Sequence, residues 1–508
     1  MSAAPDWSDC PDPQTVFLRL WREVSTWRSH RRAANQAHTP EVQTKLQNSL
    51  MSAATATQAV AALQAEMAVL WPVFAISEAN RLHQEDGLLL DAMLAIDAVF
   101  IRVHPRTVRL APGISSADIP VWLSDAAENR TLTGAYANDV ELRLIARGPL
   151  SRQARSVADT NAESLTHRFL ALTAAPFATK LDDHQTIAIA CTVIGQSAAR
   201  GVPPSRPGKE VIGFAPLAET DSDLRYRERR DDTGQKFLDV VVTPGVDLAH
   251  RLSEVVARLG PLDLLVAPEL TLDDEASARF AASLSGVSGA PRLSIAGSGP
   301  RGAADADGRR FNGASAYNAL GAPLWSHDKV WPYGMGEHQV ETCNLFGVEE
   351  GQLLMEDIQA GSSLTVADVD GFGRVLVLIC QDFQIKPAVA DIIRTYQPDW
   401  VVVPIMDRGV SSGRWMHKTA YDLSELSPAR FVVVSSLALA ERSKAADYPD
   451  TPVALLVGPA TISREEREGG GADRAVAILG CSETAPQCGK IGWNDPAAGW
   501  KTTSLTTV

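Results

Sequence analysis

The chain has 508 residues, 45% hydrophobic and 21% charged, a balance that excludes wholesale disorder and at this length predicts two or more domains. A formal charge of −14 and a pI near 5.2 exclude a general nucleic-acid or anionic-membrane surface, since either needs a basic excess. The six cysteines, Cys10, Cys191, Cys343, Cys380, Cys481 and Cys488, form no dense disulfide framework, no CxxC pair and no zinc-spaced Cys/His cluster, so a reduced, cytoplasmic setting without metal or cofactor is expected.

The N-terminal MSAAPDWSDC lacks the basic and apolar regions of a signal peptide. The long apolar window Val60 to Ile76 carries Gln64, Glu66 and Pro72, which fits a buried helix better than a membrane span. From about Pro13 to Thr179 apolar residues recur at helical spacing. In TVFLRLWREVSTW, for example, Val16, Leu20, Val24 and Trp27 share one face. Pro105, Pro112 and Pro120 break the pattern, and DVELRLIARG alternates like a strand. His83, His104 and His167 are scattered and read as surface or hydrogen-bonded core residues. Residues 1–180 are therefore expected to form a mostly helical domain with an interaction or regulatory role, open to a protein partner that the sequence does not name.

From Thr186 the texture changes. TIAIACTV, DVVVTP, LDLLVAP and LSIAGSG are strand-like, and DLAHRLSEVVARLG and DDEASARFAASL are helix-like. This alternation predicts an α/β domain over residues 186–508. GVPPSRPG reads as a loop, RYRERR as a solvated mixed-charge loop or helix face, and SREEREGGGADR as a charged hairpin tip near Gly470.

Three segments bring polar residues to the ends of apolar runs: LLVAPEL presents Glu269, APLWSHDKVWPYGMGE carries Lys329 and Glu337, and RVLVLICQDFQ delivers Cys380. Each alone has a plain reading. Glu269 suits a helix N-terminus, Lys329 and Glu337 suit a surface pair, and Cys380 suits a small core hydrophobe. Together, a thiol, an ammonium and two carboxylates at successive strand ends supply a nucleophile, an electrostatic partner and a base.

These segments, with FNGASAYNALGAPLWSHDKVWP, GFGRVLVLICQDF and the downstream runs PDWVVVPIMD, ARFVVVSSLA and VALLVGPATI, resemble the carbon-nitrogen hydrolase, or nitrilase, superfamily. The resemblance covers about residues 186–508 and does not reach the N-terminal third. It implies a four-layer α-β-β-α nitrilase-like sandwich, joined to the additional mostly α-helical N-terminal domain. It also implies a hydrolase that cleaves a non-peptide C–N bond through a cysteine thioester. In that scheme Glu269 is the base, Lys329 stabilises the tetrahedral intermediate, Cys380 is the nucleophile and Glu337 orients Lys329 or the substrate. The backbone N–H of Gln381 serves as oxyanion donor, Tyr333 and Met406 line the substrate pocket, and a homo-oligomer is implied.

The nitrile-cleaving branch carries Trp-Glu after its cysteine where this chain has Gln381-Asp382, which favours an amide, ureido or acyl-transfer reaction over nitrile chemistry. Asp382 is expected to brace the nucleophile turn through hydrogen bonds. Two other readings stand beside this one. A catalytically silent nitrilase-fold binding or regulatory protein, acting through its helical N-terminal domain, would have its pocket blocked, for instance by Trp331 or GVSSGRW. A papain-like thiol hydrolase would need a histidine partner, with His417 the candidate.

Overall fold

The protein is described here as a computed structural model, over residues 4–25, 40–74, 81–105, 118–148, 165–180, 185–195, 208–424, 429–444, 451–459, 474–479, 487–494 and 499–507. Two compact units divide the chain: Met1–Phe177 with Cys191–Val193 and Thr395–Gln397, and the remaining residues from Ala178 onward.

The first unit is led by helices. Helix Pro13–Val24 starts where Asp12 accepts a hydrogen bond from Thr15 N at 2.7 Å, with Pro13 in the first turn. It buries Val16, Leu20 and Val24 on one face, as their spacing predicts; Trp27 lies outside the described residues. Helices Pro40–Ser52, Ala56–Phe74, Arg81–Phe100 and Val121–Thr133 follow. The window from Val60 falls in the second of these, which buries Val60, Leu63, Met67 and Trp71 against the same core. No helix among the described residues is long and apolar enough to cross a membrane.

The expected strand in DVELRLIARG is Leu142–Ala146, the middle of a small antiparallel sheet with Ala137–Asn138 and Leu172–Pro176. His104 is buried, its Nε2 2.9 Å from the Arg147 carbonyl. His83 falls in helix Arg81–Phe100 and His167 in the turn Leu165–Arg168.

The second unit is mixed α/β and contains two eight-stranded sheets. The core path of the first sheet runs Pro323–Asp328, Arg310–Asn318, Leu293–Arg301, Leu264–Val266, Val211–Phe214, Gln487–Asn494, Gly499–Thr507. In the second, the central strands Gly373–Val377, Trp400–Ile405 and Arg430–Ser435 are mutually parallel. All three are buried along their whole length, as strands covered on both faces must be.

The two sheets face each other. Arg430 of the second forms a 2.6 Å ion pair with Glu210, beside the first, and its guanidinium lies over Trp400 and Trp493. On the outside of the first sheet, helix Leu248–Leu259 is capped by Asp247 and presents Leu248, Leu252, Val255, Val256 and Leu259 as an apolar stripe. That stripe joins Phe280 and Leu284 of helix Asp274–Leu284 in a core shared with Leu265 and Ala296. Against the second sheet, Ala388, Val389 and Ile392 of helix Lys386–Tyr396 line one small void with Leu378 and Ile187. The layers are therefore α-β-β-α.

One element departs from the sequence reading. RYRERR is not a loop or helix face but most of strand Leu224–Arg230, in a separate four-stranded sheet with Lys236–Val242, Leu354–Glu356 and Gly334–Met335. Its antiparallel partner carries the apolar run FLDVVV, in the register Leu224↔Val242 to Arg230↔Lys236. Pairing with that run overrides the charged composition. The expected loop in GVPPSRPG lies, except for Gly208, outside the described residues. So does the hairpin tip in SREEREGGGADR, up to Arg474, although the flanking strands Ala454–Pro459 and Arg474–Leu479 do pair antiparallel.

Candidate active site

Strand Leu264–Val266 runs parallel to both its neighbours, and the chain leaves its carboxyl end through Ala267 and Pro268 to Glu269. Gly297 on the adjacent strand permits this exit, because a Cβ there would stand 2.3 Å from the Pro268 carbonyl oxygen. From the facing sheet, strand Gly373–Val377 ends just before Cys380. Cys380 takes φ +46°, and Leu270, just past Glu269, takes φ +59°. Left-handed backbone is uncommon for residues other than glycine and is found where a fold holds a side chain in a set position. The ends of parallel strands from two sheets thus deliver the carboxylate and the thiol to one place, where open α/β folds commonly place ligands.

Glu269 and Lys329 are both buried, each 2% exposed. Lys329 Nζ donates to Glu269 Oε1 at 2.8 Å and to Glu356 Oε2 at 2.5 Å. Asn312, wholly buried, donates its amide to the same two carboxylates, 2.9 Å from Glu269 Oε1 and 3.0 Å from Glu356 Oε1. The backbone N–H of Met406 donates to Glu269 Oε2 at 2.9 Å, that of Tyr333 donates to Glu356 Oε2 at 3.1 Å, and the Cys380 thiol hydrogen-bonds Glu269.

The electrostatics follow from burial. Burial pulls the Lys329 ammonium toward neutrality, but Glu269, Glu356 and the Cys380 sulfur outweigh it and hold its pKa well above the ordinary value. Burial raises Glu269, against the opposing pull of Lys329 and with a further push from Glu356. Cys380 is raised well above a free thiol, first by burial and then by Glu269, with Lys329 opposing. The resting site is therefore a neutral thiol beside a carboxylate of raised basicity and a fixed ammonium.

The sequence reading needs one correction here. Glu337 opens the short helix Glu337–Thr342 and is exposed, so it does not flank Lys329. Glu356 takes that place, because strand Leu354–Glu356 pairs with Phe237 and Leu238 and directs its last side chain at Lys329. A signal was present in GQLLMED, an apolar run ending on an acid like the other site segments. Asn312, in the segment FNGASAYN, also belongs to the site, and a single buried amide carries no pattern that marks it in the sequence.

Asp382 ties the turns together. Its Oδ1 accepts from Val330 N at 3.0 Å and Trp331 N at 2.9 Å, just after Lys329. Its Oδ2 accepts from Ile379 N at 3.2 Å, just before Cys380, and lies 3.0 Å from His327 Nε2. The bracing role therefore extends from the thiol turn to the ammonium turn. Gln381 is the second residue of the tight helical turn Cys380–Gln384. Its N–H belongs to the first turn, whose donors lack partners within the helix.

A cavity of about 500 Å³ opens onto Glu269, Asn312, Lys329, Glu356 and Cys380, with Tyr333 and Met406 in its wall. Burial lifts the Tyr333 hydroxyl to about 12, so it stays protonated. Neither Trp331 nor residues 409–415 line the cavity, and among the described residues no histidine does. His417 lies on helix Trp415–Leu423, stacked on Tyr421. Among the described residues no group of three or more His, Cys, Asp or Glu is arranged to hold a metal ion.

Nitrilase-superfamily proteins are among the solved structures similar to this chain. Nit3 of Saccharomyces cerevisiae, a member of branch 10 of that superfamily, is 12% identical with a TM-score of 0.36, over 58% of this chain and 94% of its own. An amidase of the superfamily from Nesterenkonia AN1 is 15% identical with a TM-score of 0.34, over 58% of this chain and 95% of its own. A glutamine-dependent NAD+ synthetase from Acinetobacter baumannii is 13% identical with a TM-score of 0.35, over 59% of this chain, which spans about half (48%) of that protein. No protein-family model matches the chain, and no curated protein matches it by sequence.

Proposed function

We propose that the second unit is a carbon-nitrogen hydrolase that cleaves a carboxamide or ureido C–N bond, other than a peptide bond, through a thioester on Cys380. The observation that carries this reading is the convergence of Cys380, Glu269, Lys329 and Glu356 on one open cavity. Burial and mutual charge shift Cys380, Glu269 and Lys329 together within one cleft, the kind of clustering that suits acyl-transfer chemistry.

Glu269 accepts the Cys380 proton as sulfur attacks the carbonyl carbon. The high pKa of Lys329 makes it a fixed charge rather than a proton donor, so it faces the developing oxyanion together with the Gln381 N–H. A donor of this kind is worth about 2.7–4 kcal/mol in acyl transfer. As the tetrahedral intermediate collapses, Glu269 returns the proton to the leaving nitrogen, the C–N bond breaks and ammonia or amine departs. Water then gives a proton to Glu269 and attacks the thioester, releasing the carboxylate product and restoring the thiol. Glu356 keeps Lys329 charged, and Asn312 holds the two carboxylates in place.

The test is ammonia release from a panel of linear carboxamides, ureides and nitriles. Cys380→Ala and Glu269→Gln are each expected to lower kcat by a factor on the order of 10³ or more, with circular dichroism unchanged. Wild-type turnover in Cys380→Ala would overturn the assignment.

A further inference from the structure

The four-stranded sheet beside the cavity leaves part of one strand unpaired. In strand Lys236–Val242 the odd-numbered residues bond to strand Leu224–Arg230. At one end of the pairing the Gln235 carbonyl accepts from Asp231 N at 3.1 Å, and at the other Thr243 N donates to the Asp223 carbonyl at 2.8 Å. The even-numbered residues point the other way, since main-chain N–H and C=O of one residue share a side in an antiparallel ladder. The Leu238 carbonyl shows this directly, accepting from Asp357 N at 2.9 Å.

On that side the partner is short. Strand Leu354–Glu356 runs parallel and pairs only with Phe237 and Leu238. The chain then turns away, so that Ile358 pairs with Arg310. Among the described residues nothing continues the ladder beside Val240 and Val242, and both residues line the cavity.

We infer that this edge is a substrate-binding site, and that the acyl part of the substrate is an extended, peptide-like chain which adds to it as a strand. A ligand here continues the line of Leu354–Glu356, whose last side chain contacts Lys329. The reacting carbonyl therefore sits at the catalytic end while the rest of the chain runs along Val240 and Val242. These two residues are separated by about 7 Å at ordinary strand rise, so the edge spans two ligand residues. Leu238, Val240, Leu270, Leu272 and Met335 give the lane apolar walls, and a cavity of about 500 Å³ is of ordinary ligand-site size. Main-chain pairing supplies affinity in such strand addition, and the side-chain pockets supply selectivity. The substrate class is thus an N-acylated amino-acid or dipeptide carboxamide, cleaved at its terminal C–N bond.

This inference rests on the reading of Cys380 as the nucleophile, and its test separates the two. Binding of N-acetyl-diglycinamide, its backbone N-methylated analogues and a length-matched alkyl carboxamide is measured by calorimetry on Cys380→Ala. Turnover of the same compounds is measured on the wild type. The diglycinamide is expected to bind at least tenfold more tightly than the alkyl amide, and N-methylation at one of its two internal amides is expected to abolish that gain. Equal binding of all the compounds, or failure of every one to bind, overturns strand addition whatever the turnover. Tight, methylation-sensitive binding without any wild-type ammonia release supports the edge and overturns the hydrolase reading instead.

Discussion

The two units bury charge in different ways. In the first, Asp97 accepts three backbone hydrogen bonds, from Leu170, Ala171 and Leu172, at 2.8–2.9 Å. In the second, Glu269 and Glu356 share the side chains of Lys329 and Asn312, and the group opens onto a cavity with a thiol. Burial raises both Asp97 and Glu269. A perturbed carboxylate therefore does not by itself mark a site; convergence with complementary side chains on a cavity does.

The largest expected effect strikes the second arrangement at its centre. Lys329→Met leaves the buried Glu269 carboxylate and the half-buried Glu356 carboxylate without their cation, and is expected to abolish turnover and destabilise the second unit by about 3–5 kcal/mol, read from chemical denaturation. Near-normal stability would mean the carboxylates find other partners. Next comes the choice between the two glutamates. Glu356→Gln is expected to lower kcat by a factor on the order of 10², whereas Glu337→Gln, on an exposed helix start, leaves kcat and KM unchanged. The reverse outcome would restore Glu337 to the site.

The pH dependence belongs to the first unit. Burial pushes Asp97 up to about 6 from an ordinary 3.8, so between those values the folded state holds a proton that the unfolded state has lost. Stability conferred by the protonated form is complete below about 4 and is lost as pH rises through about 6, by up to about 3 kcal/mol. Hydrogen exchange of the Leu170, Ala171 and Leu172 amides is the readout, with protection falling over that range and Asp97→Asn removing the trend. Flat protection would show that the three hydrogen bonds fully offset burial.

Much of this organisation was legible in the chain because it depends on local pattern. Apolar periodicity marked helix Pro13–Val24, and the runs WVVVPI and RFVVVS, expected as strands through the family resemblance, are fully buried and parallel. Polar residues closing apolar runs pointed to Glu269, Lys329 and Cys380. What escaped depends on pairing between distant segments. RYRERR became a strand because FLDVVV lies opposite it. Glu356 displaced Glu337 because Leu354–Glu356 pairs with Phe237 and Leu238, a register that spacing after Lys329 does not reveal. The open edge at Val240 and Val242 was hidden for the same reason, since it exists only where a partner strand ends.

The most direct test of the thioester mechanism is the intact mass of the protein trapped during turnover of carboxamides. An acyl adduct on wild-type protein, mapped to Cys380 and missing from Cys380→Ala, is the predicted result. Ammonia release with no adduct at Cys380, or an adduct mapped to another residue, would contradict it.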